Sequence, residues 1–118
     1  VDAASGKELW KALADNVCAG RANCDPGISA AVSAIPGVVF AGHLDGRFRA
    51  YVSASGKVLW SVDTTRDVTA VGGVTGHGGG MSGPGAVIAK GNVIANSGYG
   101  LYYHSPGNLL MVFTPGGK

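Results

Sequence analysis

The residue types most able to do chemistry in this chain sit in His77-Gly-Gly-Gly-Met-Ser-Gly-Pro-Gly85. An imidazole followed by three glycines can present backbone amides to an anion, since no Cβ shields them. In esterases His-Gly-Gly-Gly supplies oxyanion-hole donors, but that chemistry also needs a Gly-x-Ser-x-Gly elbow. Here Gly80-Met-Ser-Gly-Pro84 ends in proline, so esterase chemistry is rejected. A second group, Tyr99, Tyr102, Tyr103 and His104, carries amphipathic rings that can stack on a planar ligand or pack as a satellite cluster. His43, His77 and His104 lack the short spacing of a local metal motif, so no metal site is assigned. Asp63, Arg66 and Asp67 fall where a general base could act, yet no carboxylate is singled out and the catalytic residues stay unknown. Asp45-Gly46 reads as a turn pair and Arg49 as a surface ion-pair partner.

The elements that must position these groups come from a repeat. Val1-Asp-Ala-Ala-Ser-Gly-Lys-Glu-Leu-Trp10 and Tyr51-Val-Ser-Ala-Ser-Gly-Lys-Val-Leu-Trp60 match at six of ten positions. A period near fifty residues, built of short apolar runs and Gly turns, predicts an all-β chain of propeller blades, each a four-stranded antiparallel meander. Residues 1–13 are expected to be the outer strand of an adjacent blade, centred on residues 7–13, and 14–29 a loop. Residues 30–62 form one complete blade. Residues 63–83 are a Gly-rich loop, and 84–118 supply three strands of a second blade without its outer strand. In the third strand Phe48, Ala50 and Val52 share one face, and Arg49 and Tyr51 the other. Trp10 and Trp60, at equivalent positions, are structural. The segments at 15–29, 43–46, 63–83 and 98–107 should all emerge on one face, where irregular loops build sites.

Bulk properties remove several function classes. A net charge of +2 with no Lys/Arg run argues against nucleic acid. No apolar stretch is long enough for a membrane-crossing helix. At 118 residues the chain is too short for a closed propeller by itself.

Ala-Ser-Gly-Lys-x-Leu-Trp, in both copies, resembles the blade-closing motif of quinoprotein alcohol dehydrogenases. Ser29-Ala-Ala-Val-Ser-Ala-Ile-Pro-Gly-Val-Val-Phe-Ala-Gly42 and Leu44-Asp-Gly-Arg-Phe-Arg-Ala-Tyr51 resemble the C-terminal blades of polyvinyl-alcohol-dehydrogenase-like proteins. So do Ser82-Gly-Pro-Gly85, Asn96-Ser-Gly-Tyr-Gly100 and Ser105-Pro-Gly-Asn108. The resemblance implies an eight-bladed propeller that oxidises secondary alcohols with pyrroloquinoline quinone (PQQ) and Ca in the periplasm or outside the cell. On the loop face, His77, Gly78, Gly79, Ser82, Tyr99 and Tyr103 are the residues expected to meet such a cofactor, and the resemblance implies that an exported Cys18 and Cys24 form a disulfide. No Cys-x-x-Cys-His occurs, so no c-type haem is attached here. A two-blade piece is expected to be inactive alone; the alternative is a ring-forming scaffold or binding module without redox activity.

The frame of the two blades leaves one sheet edge bare and one outer strand unpaired. Head-to-tail exchange between copies would satisfy both, giving a cyclic homo-oligomer of four copies in preference to three, with six to eight blades.

Overall fold

Alternating apolar residues with Gly-containing turns every few positions favour short antiparallel strands, and that is what the chain forms. The structure, a computed structural model, describes residues 1–100 and 102–116. Every regular element among them is a β-strand. The first sheet is a meander of β1 (Ser33–Ile35), β2 (Val38–Gly42), β3 (Arg47–Val52) and β4 (Val58–Asp63), paired in sequence order. Next come β5 (Asp67–Thr69) and β6 (Thr75–His77), a small hairpin inside the segment expected to be all loop. The last sheet holds β7 (Val87–Ala89), β8 (Asn92–Ser97) and β9 (Leu109–Phe113), with β9 at its edge. We call the four-stranded and three-stranded sheets the first and second blade.

Register decides which side chains meet. In the first blade Phe40 pairs with Ala50 and Ala50 with Trp60, while Phe48 pairs with Val62, so these project from one face. In the second blade Val93 pairs with Phe113 and Ala95 with Met111. The two faces pack together around Phe48, Met81 and Ala95, with Phe40, Trp60, Val93, Met111 and Phe113 completing the cluster. Trp60 meets Phe113 edge-on at 4.8 Å and Phe48 edge-on at 5.6 Å, the geometry aromatic quadrupoles favour. The core is this seam between blades, not the interior of either sheet.

Residues 7–13, expected to be the outer strand of an adjacent blade, form no strand within this chain. A strand needs a neighbour's ladder to satisfy its backbone, and among the described residues no sheet edge is paired to this segment. The preceding turn forms nonetheless. Asp2 N donates to Lys7 O and Gly6 N to Asp2 O, both at 2.8 Å; Val52 N to Lys57 O and Gly56 N to Val52 O repeat these bonds at the same lengths. Gly6 and Gly56 have φ of +69° and +71°, a left-handed conformation that glycine adopts without steric penalty.

Trp10 docks on the first blade as Trp60 docks on the second. Its indole N–H donates to Ser53 O at 2.7 Å, and its ring covers Gly56 so closely that a Cβ there would lie 2.4 Å away. It lines a groove of about 620 Å³ with Val39, Ala41 and Tyr51, while Trp60 lines its own with Val93 and Phe113. Aligning Gly37 with Gly91 puts Val39 on Val93, and the registers then put Tyr51 on Phe113.

Candidate functional site

The irregular segments between strands must satisfy their own amides, and here they do so on one another. Leu44 N donates to Gly27 O, Thr64 N to Gly46 O, Gly78 N to Thr64 O, Met81 N to His43 O and Gly80 N to Ser105 O. Ser105 N donates to Asn23 O. The four segments at 15–29, 43–46, 63–83 and 98–107 therefore interlock into one loop layer.

Its centre is the glycine run after β6. A Cβ on Gly79 would stand 2.1 Å from Ser105 O, and one on Gly78 2.4 Å from Ser97 Oγ, so only bare backbone threads this gap. Gly78, Gly79 and Gly80 are buried, and their amides have partners: Gly78 N bonds Thr64 O at 2.8 Å, Gly79 N bonds Ser97 Oγ at 3.0 Å and Gly80 N bonds Ser105 O at 2.8 Å. The glycines serve close packing, and their amides are engaged within the chain.

The other candidates are placed differently. His77 ends β6, is exposed, and has Nδ1 2.9 Å from Gly78 O. Tyr99 and Tyr103 are exposed, and the Tyr103 ring lies 5.0 Å from that of His104. Ser82 Oγ is buried and has no hydrogen-bond partner among the described residues, and a Cβ on Gly100 would fall 2.2 Å from it. The fold thus brings the 77–83 run against the 98–107 loop. It keeps the glycines and Ser82 inside and leaves His77 and both tyrosine rings outside.

A buried polar cluster on the opposite face of the first blade was not singled out from the sequence. His43 is 1% exposed, and its Nε2 lies 2.9 Å from the Tyr51 hydroxyl. Asp45, also buried, accepts from Arg47 N at 2.8 Å and from Arg49 Nη2 at 3.0 Å. Arg49 is 7% exposed, so the pair expected at the surface is a buried salt bridge, and the Asp45-Gly46 turn carries one of its partners. His43 Nδ1 and Arg49 Nη1 have no hydrogen-bond partner among the described residues. Burial, assisted by the nearby Arg49 cation and opposed by Asp45, pulls the His43 imidazole down to about 4, so it is neutral at pH 7. Burial likewise raises the Tyr51 phenol. The signal available in sequence was Arg49 and Tyr51 on one strand face with His43 just beyond; alternation does not say whether that face is covered.

Asp63 is a poor general base. Burial pushes its carboxyl up, but bonds from Thr65 N (3.1 Å) and Thr65 Oγ1 (2.7 Å), together with Arg47 and Arg66, outweigh that and hold it below its usual range. Cys18 and Cys24 form a disulfide with Cα atoms 5.6 Å apart. The described residues contain no group of three or more His, Cys, Asp or Glu able to hold a metal ion.

Similarity to known proteins completes the picture. The chain is 41% identical over 133 aligned positions to a polyvinylalcohol dehydrogenase of Sphingopyxis sp. strain 113P3, covering all of this chain and 20% of that protein. It is 43% identical to a polyvinylalcohol dehydrogenase of a Pseudomonas species over 80% of this chain and 16% of that protein. It is 39% identical to the quinohemoprotein alcohol dehydrogenase ADH IIB of Pseudomonas putida over 55% of this chain and 10% of that protein. The chain thus spans about a fifth or less of the length of these relatives. No family model and no solved structure matches it.

Proposed function

We propose that this homologue of the polyvinylalcohol and quinohemoprotein alcohol dehydrogenases is a two-blade segment of a PQQ-dependent alcohol dehydrogenase-type propeller. The observation that carries the reading is identity above 40% to a dehydrogenase along the whole chain. Two sheets packed face to face, with equivalent tryptophans docked on each, agree with consecutive blades. Secondary alcohols are the proposed substrates of the whole enzyme. Export to the periplasm or beyond is supported by the Cys18–Cys24 disulfide, since such bonds persist in oxidising compartments.

This chain's residues alone do not fit a quinone with its calcium ion. The glycine amides already have partners inside the chain, and no carboxylate cluster stands ready for a divalent cation among the described residues. We therefore route no catalytic step through this segment by itself. Its role is to hold the loop layer rigid and to present His77, Tyr99 and Tyr103 at the surface, where a ligand bound by other blades would meet them.

Grafting the segment in place of its counterpart in the Sphingopyxis enzyme tests the reading. The expected chimera folds and retains dye-linked oxidation of secondary alcohols. A folded but inactive chimera would overturn the reading in favour of the second one, a scaffold that keeps the fold without the chemistry. That second reading has its own support in the engaged glycine amides. The isolated chain with PQQ and calcium should show no spectral change; a saturable one would overturn its inactivity alone.

A further inference from the structure

The segment at 15–29 carries a small covalent ring. Cys18 and Cys24 close it, and its interior bonds are its own. Cys18 N donates to Asn16 Oδ1 at 3.1 Å, and Arg21 donates to Cys18 O from N at 2.9 Å and from Nε at 3.2 Å. Cys18 is buried, so the ring is seated on the fold. Ala19 and Asn23 have φ of +47° and +59°, conformations that non-glycine residues keep only where their surroundings impose them. Beside the tethered Cys24, Asn23 turns its backbone carbonyl out of the ring. That oxygen accepts from both Ser105 N and Ser105 Oγ, each at 2.9 Å, across 82 residues of chain.

Ser105 passes the hold on. Its own carbonyl accepts from Gly80 N at 2.8 Å, in the middle of the glycine run. The 98–107 loop is also tied at its base, where Gly107 N donates to Gly98 O at 3.0 Å and Gly98 N to Gly80 O at 3.2 Å. Between these ties Tyr99, Tyr102 and Tyr103 are exposed, Tyr102 by 89% and at φ +70°. A bulky residue in that region is strained, and one so exposed has little packing to hold it there. The loop's shape is thus imposed from its ends, and Ser105 is the end that touches the ring.

We propose that the Cys18–Cys24 ring is a redox-sensitive strap on the tyrosine loop. Closed, it holds Ser105 and, through Ser105, the glycine run; opened by a dithiol, it releases that loop while the blades stay paired. In the opening step the dithiol is oxidised to its own disulfide, and its two electrons and two protons leave Cys18 and Cys24 as thiols. The seam between blades does not depend on the ring, since Phe48, Met81, Ala95 and the side chains packed on them lie outside segments 15–29 and 98–107. Ser105 is a positioning residue. On the dehydrogenase reading this loop presents Tyr99 and Tyr103 to a ligand held by other blades, so opening the ring would misplace both.

Amide resonances of the folded, full 118-residue chain, before and after dithiothreitol, test the strap. On opening, the Ser105 and Gly80 amide protons should move upfield as their acceptors are lost, while those of Ala50 in β3 and Ala95 in β8 stay in place. A bond that only raised stability would leave native-state resonances where they are, so the shift separates positioning from stabilisation. Chymotrypsin cleavage after Tyr102 and Tyr103 should rise several-fold in the opened chain. Ser105→Ala keeps the backbone bond and loses the hydroxyl one, so with the ring closed it should move the Gly80 resonance part of the way. Combined with Cys18→Ser and Cys24→Ser it should add nothing further. Unmoved Ser105 and Gly80 amides after opening overturn the proposal, as do Ala50 and Ala95 amides that shift with them. No cofactor or turnover enters this readout. Failure here leaves the dehydrogenase reading standing, and an inactive chimera leaves the strap standing.

Discussion

The first blade's groove face and the second blade's seam face occupy equivalent positions and share Val39/Val93 and Ala41/Ala95, yet differ in polarity at three others. His43, Arg49 and Tyr51 of the first correspond through the registers to Ser97, Met111 and Phe113 of the second. The apolar version is covered by another blade and forms the core. The polar version reaches near-complete burial of His43 and Arg49 by internal pairing, under a thin cover of loop and N-terminal segment. A blade face can thus be completed by dispersion and apolar burial, or by a network that tolerates incomplete cover. The second is the more exposed to perturbation, since an unpaired buried charge is far dearer than a lost methylene.

The comparison is broken most directly at the two buried anchors. Phe48→Ala should destabilise by about 3–5 kcal/mol in urea unfolding, whereas Leu110→Ala in dilute chain should change stability by less than about 0.5 kcal/mol. Equal losses would mean that the open face is not open. Arg49→Met, which writes the second blade's residue into the first, should cost a similar ~3–5 kcal/mol because Asp45 is left charged and buried. Combining it with Asp45→Asn should recover much of that loss; no recovery would show that packing and not charge carries the site.

A smaller effect sharpens the contrast through pH. The unfolded imidazole of His43 titrates near 6.5 and the folded one at about 4. Between these values the unfolded chain takes up a proton that the folded chain does not. Stability is therefore full above about pH 6.5 and falls as pH drops toward 4, by up to ~3 kcal/mol. His43→Gln should flatten that slope in a series of urea melts; an unchanged slope would assign it elsewhere. The smallest effect belongs to the loop beside the groove. Replacing Cys18 and Cys24 by serine should cost about 2 kcal/mol, read as a lower thermal midpoint, given the short loop the bond closes.

Much of the architecture is local and was legible for that reason. Alternation and glycine turns placed the meanders, and period two correctly set Arg49 and Tyr51 opposite Phe48 and Ala50. Residues 7–13 read as a strand because they copy β4, but a strand is a property of a pair, and their partner edge is not supplied by this chain's sheets. The β5–β6 hairpin was hidden by glycine content that also suits a loop. The Asp45-Gly46 turn was read as it stands, but Arg49 was misjudged because charge on a strand predicts exposure unless its partner in the turn is known to meet it. For His77-Gly-Gly-Gly the sequence offered a ligand-facing loop or a plain connection, and it could not show that Thr64, Ser97 and Ser105 accept from those amides.

The twin turns at Asp2–Lys7 and Val52–Lys57 bear on how the chain folds. The first closes with the same bonds as the second although no sheet flanks it, so six residues encode the geometry without tertiary help. Closing so short a loop takes well under a microsecond and little entropy, while the seam between blades joins residues far apart in sequence. The β3–β4 hairpin is therefore the natural nucleation site, with slower inter-blade docking behind it, and changes at Gly56 should slow refolding more than changes at the seam.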